Sequence, residues 1–264
     1  MAQEQTRDLL RQNSELRHHR IWNWTIPAWF VELPNGARFH TCPQAGACAQ
    51  VCYARNGTYR FPAVAAAHLR NLMLYLDDRH AWIEAMLAEL MRKKFRPTSH
   101  PRDLPTTNDR WLDRWSSHGG AAVRIHDSGD FFSHDYLVDW LHVARLTPDV
   151  LFYAYTKEID LFKNILDPAI VPPNFRYLFS TGGLQDDMIE PDIDRHADVF
   201  ADEGAIVAAG YQSQSASDLL AIFLGTTMIG IPANRIPQFV KKMNGRRFSE
   251  MGQARLHRRH DDRR

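Results

Sequence analysis

The chain is poor in cysteine. Its 264 residues include three, Cys42, Cys48 and Cys52, an odd number that internal disulfides cannot use up, which excludes a disulfide-stapled scaffold. Long apolar runs are missing as well: no stretch approaches the ~20 residues that a membrane-spanning helix needs. The opening MAQEQTRDLLRQNSELRHHR has no apolar signal core, which predicts a cytoplasmic protein with reduced thiols and no membrane contact. No internal repeat is visible, so a solenoid is excluded. An overall excess of one charge sign is also absent, with 32 Lys and Arg against 31 Asp and Glu.

What is present is locally biased. Residues 241–264 carry two lysines and seven arginines against Glu250, Asp261 and Asp262, whereas the whole chain is only +1. This basic tail can meet phosphates, which makes nucleic acid an expected partner; a solvated chain end explains it equally well. The hydrophobic content of 44% suits an ordinary globular core.

The pattern along the chain alternates. Residues 4–19 read as a polar helix, and IWNWTIPAWFVEL (21–33) as a strand or hairpin arm that runs, through a PNG turn, into the cysteine loop. Residues 62–94 carry an apolar stripe at helical spacing after Pro62. Residues 96–120 read as an irregular insertion. Then AAVRIHD, VLFYAYT, FRYLFST, AIVAAGY and TMIGIP read as strands. Helices are expected at 133–146 with Ser133 as N-cap, at 158–166, over most of 186–203 with a break near Pro191, and at 215–224. Six βα-type units predict parallel strands covered by helices. The expected fold is α/β, a (βα)6-type partial TIM barrel in one domain over 1–240, with an N-terminal helix in 1–20 and a basic C-terminal tail over 241–264.

All three cysteines sit within eleven positions, in FHTCPQAGACAQVCYARNG (39–57), at the spacing Cys-x5-Cys-x3-Cys. Buried structural cysteine is the bland explanation, and the clustering in a Gly- and Pro-containing loop weakens it. Two metal readings remain. Zinc wants four ligands and can recruit His40, although no Cys-x2-Cys knuckle is present. An iron–sulfur cubane normally takes four thiolates, so three leave one iron open to another ligand.

Three cysteines after the first strand of a six-unit barrel resemble the radical S-adenosylmethionine superfamily. That resemblance implies a [4Fe-4S] cluster on Cys42, Cys48 and Cys52, S-adenosylmethionine on the open iron, an external electron donor, and an enzyme. The superfamily's usual Cys-x3-Cys-x2-Cys spacing has its aromatic before the last cysteine; here Tyr53 follows Cys52. Its cofactor-binding motif after the second strand implies a like role for Ser128, Gly129 and Asp130 in RIHDSGDFF, where an ordinary βα turn is the alternative. More narrowly, TCPQAGACAQVCYARNG, HLRNL, RIHDSGDFF and FYAYTK resemble the actinophage gene-product-88-type family over roughly residues 20–235. DSGDF is also similar to a segment of the zinc-containing guanine transglycosylases, whose zinc cysteines lie late in the chain rather than early.

In a barrel the strand ends surround the mouth. His126 and Asp127 are candidates for acid–base work. Lys157 can meet an anion. Ser180, in STGG, and Asn234, after the last strand, are candidate cofactor contacts. Arg124 and Tyr155 lie at the same ends, Arg124 expected on one strand face with His126; Arg55, Asn56 and Tyr59 can shield a cluster. Turn, cap and core roles compete at each of these positions. Three functions follow as expectations: an iron–sulfur enzyme on an unknown, conceivably nucleic-acid, substrate; a zinc transglycosylase-like enzyme; or a non-enzymatic iron–sulfur nucleic-acid-binding protein.

Overall fold

A computed structural model describes residues 8–165, 170–233 and 237–251. In chain order the helices are α1 (Ser14–His18), α2 (Cys48–Val51), α3 (Pro62–Asp77), α4 (Arg79–Leu90), α5 (Arg110–Ser117), α6 (His134–Leu146), α7 (Ile159–Ile165), α8 (Glu203–Ala208), α9 (Leu220–Phe223) and α10 (Pro237–Met243). The strands are β1 (Ile21–Trp24), β2 (Phe30–Glu32), β3 (Arg38–His40), β4 (Ala121–Ile125), β5 (Val150–Thr156), β6 (Phe175–Ser180), β7 (His196–Phe200), β8 (Gln212–Ser213) and β9 (Met228–Pro232). Seven of them form a parallel sheet in the order β1-β4-β5-β6-β7-β9-β8. β2 and β3 pair as a separate antiparallel hairpin.

The sheet is open, with β1 at one edge and β8 at the other, and no barrel is closed. Both faces are covered, which is why its strands read as apolar runs. Val123, Ile125, Phe152, Ala154 and Phe179 pack with the crossover helices α3, α4, α6 and α7. The alternate positions Ala122, Leu151, Tyr153 and Leu178 meet α1, α5 and α9 through Leu16, Leu112, Trp115 and Phe223. Trp24, Trp82 and Trp140 are fully buried in edge-on contacts between β1, α4 and α6. Trp29, by contrast, is half-buried beneath the Arg55 guanidinium, 4.5 Å from its ring centroid.

Several elements differ from the sequence expectation. The N-terminal helix shortens to α1, because Asn13 caps it by accepting the Leu16 N–H at 2.8 Å, while Arg11 bridges to Asn23. The long helix breaks at Asp78, whose side chain caps α4 by accepting the Ala81 N–H. The 96–120 insertion contains α5, capped by Asp109. AIVAAGY is not a strand: Asp202 caps α8 there, and Ile206 packs where any Cβ on Gly230 would stand. The strand of that unit is β7, in a stretch expected to be helical. The helix expected over 215–224 contracts to the single turn α9. Ser133 caps α6 as expected, accepting from the Tyr136 N–H at 3.2 Å.

Among the described residues no helix is long and apolar enough to cross a membrane.

Candidate functional site

A cavity of about 550 Å³ lies at the carboxyl ends of the parallel strands. Cys42, Cys48 and Cys52 all line it; Cys52 feels both other thiols, and Cys42 feels Cys48. The loop carrying them is docked on the turn after β6. Cys48 N–H donates to the Gly182 carbonyl at 3.0 Å, and Leu184 N–H to the Gln44 carbonyl at 2.9 Å. Gly46 lies against Gly183 so closely that no side chain fits between them. The two glycines of STGG thus seat the cysteine loop.

The three thiols differ. Burial pushes Cys42 up, the Asp130 carboxylate reinforces this, and the Trp29 N–H, 3.3 Å from its sulfur, opposes it. Cys48 is drawn down to about 6 by the hydrogen bond from Cys52 and, against burial, by the Lys157 charge. Cys52 rises because it donates that bond and is buried. The pair behaves as a thiolate holding a thiol's proton, and thiolate is the metal-binding form. Among the described residues, no three His, Cys, Asp or Glu are gathered so as to hold a metal ion. His40 is exposed and leans on Phe30, away from the cavity lining.

The segment after β4 enters the same cavity. Asp130 is buried and fully engaged: its carboxylate accepts from Thr156 Oγ1 at 2.7 Å, Phe131 N–H at 2.8 Å and Lys157 N–H at 2.9 Å. Its own N–H donates to the Thr41 carbonyl. Asp130 therefore ties β4, β5 and the cysteine loop together. Gly129 has φ +93°, and a Cβ there would overlap Ile26, so packing alone demands glycine. Lys157 donates from Nζ to Ser180 Oγ at 2.6 Å and to the Thr181 carbonyl at 2.9 Å. Tyr53 donates to the Asp127 carbonyl and Tyr59 to the Asp127 carboxylate. Asn234 and residues 252–264 of the basic tail lie outside the described residues.

His126 leaves the face it was expected to share with Arg124. Its φ is +69°, and its ring packs on Phe131 and Tyr136 instead. Trp24 Nε1 can only donate, and does so to Tyr136 Oη at 2.7 Å. The phenol hydrogen is left for His126 Nε2 at 3.0 Å, which assigns the imidazole hydrogen to Nδ1. Burial holds this histidine down to about 3, so it is neutral and unsuited to proton transfer near pH 7. The unfolded chain takes up this proton near 6.5 and the folded chain only near 3. Stability therefore falls as pH drops between those values, by up to about 1.4 kcal/mol per pH unit from this group. Urea unfolding of wild type and His126→Phe across pH 4–7 is expected to give a flatter profile for the variant.

Three buried polar atoms on this segment have no partner, Arg124 Nε, His126 Nδ1 and Ser128 Oγ, and all three residues line the cavity. Sequence reasoning missed several contributors. Asp218 accepts from Tyr153 Oη at 2.6 Å, Tyr155 Oη at 2.9 Å and Arg124 at 3.2 Å. Glu158 accepts the Gln44 N–H, and burial with the nearby Asp130 raises it to about 8. Asp198 is wholly buried and accepts from Thr181 Oγ1 at 2.7 Å and Ser249 Oγ at 2.6 Å, which pins Phe248 into the cavity wall. None of these three acids sits in a motif with a visible signal.

The family model described as Gene product 88 matches residues 2–261. The Gene 88 protein of Mycobacterium phage L5 is 35% identical over 132 residues, 48% of this chain and 46% of the relative. That of Mycobacterium phage D29 is 34% identical over 128 residues, with the same coverage. The matched part thus spans about half the length of these curated relatives. No solved structure matches significantly.

Proposed function

The chain belongs to the Gene product 88 family, and from that premise we propose that it is an iron–sulfur protein of radical S-adenosylmethionine-like type, with Cys42, Cys48 and Cys52 each holding one iron of a [4Fe-4S] cluster. The observation that carries this reading is the convergence of all three thiols on one cavity at the strand carboxyl ends. In a cubane each thiolate takes a different iron, so the three sulfurs need not crowd around one ion as a zinc site requires. That is why the zinc alternative is less favoured.

Further support comes from the wall after β4. Arg124 Nε, His126 Nδ1 and Ser128 Oγ are buried without partners, and a polar atom in that condition costs about 1–3 kcal/mol unless a ligand satisfies it. The Arg124 and His126 N–H donors suit the polar end of S-adenosylmethionine, and Tyr53 and Tyr59 close the wall beside Cys52. The sequential order of the six long strands, β1-β4-β5-β6-β7-β9, is also the order of a (βα)6 barrel, here opened out with α3, α4, α6 and α7 on one face and α1, α5 and α9 on the other. Such a cluster, held by Cys42, Cys48 and Cys52, would supply one-electron chemistry to the cofactor. The protein's own residues hold, orient and shield: Lys157 lowers the Cys48 thiol, Asp130 fixes the loop, and Phe248, in the apolar group packed by Cys48, would shield the site.

The test is S-adenosylmethionine added to protein reconstituted without oxygen and chemically reduced. Consumption of the cofactor that requires all three cysteines is expected. A reduced, iron-loaded protein that neither consumes it nor changes its paramagnetic spectrum on adding it would refute the reading.

A further inference from the structure

We infer that the wall of this cavity built around Asp127 and Asp218 is a site for a small amine-bearing molecule, and that a nucleic-acid strand is not what it takes. The inference rests on the proposed function for regarding that molecule as the substrate; the binding chemistry itself follows from the wall.

Among the described residues, Asp127, Asp130, Glu203 and Asp218 line the cavity with two cations, Arg124 and Lys157. Lys157 is turned onto Ser180 and Thr181 and faces the Asp130 charge. Arg124 is the other cation among the described lining residues, 3.2 Å from Asp218 and 3.9 Å from Asp127. One guanidinium therefore stands between two carboxylates, and Glu203 lines the same cavity. A concave wall in which carboxylates outnumber cations, backed by apolar core, focuses its field and concentrates cations.

The hydrogen-bond inventory points the same way. A phenol has one hydrogen. Tyr59 spends its own on Asp127, and Tyr153 and Tyr155 spend theirs on Asp218. Ser213 Oγ donates to Glu203 at 3.0 Å. Apart from the Arg124 and His126 N–H groups and the Ser128 hydroxyl, what the lining around Asp127 and Asp218 presents is lone pairs: carboxylate oxygens, and the Tyr59 and Tyr155 phenol oxygens whose hydrogens are committed. An ammonium group brings three donors and a positive charge to such a surface, whereas a phosphodiester strand brings acceptors and negative charge. An independent sign that the cavity is built for a ligand is Ser128. It is 5% exposed, it lines the cavity, and its hydroxyl has no partner.

The experiment is titration calorimetry of the full chain, iron-loaded and iron-free, with three probes: 1,4-diaminobutane, its neutral isostere 1,4-butanediol, and a short single-stranded DNA. The diamine is expected to bind both forms, more weakly as salt rises, and the diol not to bind. Asp218→Asn and Glu203→Gln are each expected to weaken the diamine by about tenfold, the scale of one charged hydrogen bond. Asp77→Asn, which removes an exposed carboxylate on α3, is expected to leave it unchanged. If Asp218→Asn fails to fold, Glu203→Gln decides. Diol binding as tight as the diamine, diamine binding indifferent to both cavity variants, or DNA binding that Glu203→Gln alters would each overturn the inference. Diamine binding that survives in a protein unable to take up iron would sink the cluster reading and leave this one standing; the reverse pair of results would do the opposite.

Discussion

Cys48→Ser protein prepared without oxygen is expected to emerge colourless, with less than about a tenth of the wild-type iron, since loss of even an outer-shell partner costs about 10–100-fold in metal affinity. Cys48 is the best single choice because it stands at the centre of the group. Cys52 donates to it, Lys157 lowers it, and its charge is felt by Cys42. It is also only partly buried and lines the cavity, so exchanging sulfur for oxygen creates no void in the core. The circular dichroism spectrum should therefore stay that of wild type. Iron retained at the wild-type level in the folded variant would remove Cys48 from the proposed ligand set.

Asp130→Ala is expected to have the largest effect on stability, about 3–5 kcal/mol, the range for removing one partner from a buried charged network. Three donors lose their acceptor together: Thr156 Oγ1, Phe131 N–H and Lys157 N–H. Burial raises Asp130 while those same donors oppose the rise, so the carboxylate is tolerated only because it is surrounded by donors. Asp130→Asn is expected to cost less, because one carbonyl oxygen still accepts while the new amide faces the Lys157 N–H. Urea unfolding checks the order Ala, then Asn, then wild type. Because Thr41 and the cysteine loop hang on the same residue, iron uptake is expected to fall in that order too. An Asp130→Ala protein within about 1 kcal/mol of wild type would show that the network is dispensable.

Much of this architecture was legible in the chain. The strands β4, β5, β6 and β9 are covered on both faces, so burial wrote nearly continuous apolar, aromatic and β-branched runs into them. β7 was not legible, because its His196 and Asp198 are buried polar residues. Each is satisfied from afar, His196 by Tyr211 at 3.0 Å and Asp198 by Ser249, and such tertiary partners leave no local pattern. α8 was mistaken for a strand because its alanine, isoleucine and valine content suits either form; the Asp202 cap was the available clue. The cysteine loop was legible because all three thiols share it. Asp218 was not: only the fold brings it beside Tyr153, Tyr155 and Arg124. His126 was placed on the wrong face because strand alternation assumes an ordinary φ, and its backbone is left-handed.

The proposed chemistry requires Cys42, Cys48 and Cys52 to grip one inorganic centre together. Iron and acid-labile sulfide, quantified together with a Mössbauer spectrum on protein reconstituted without oxygen, test that claim most directly. The account predicts about four irons and four sulfides per chain with the spectrum of a cubane. One bound zinc, or no metal and three freely titrating thiols, would contradict it.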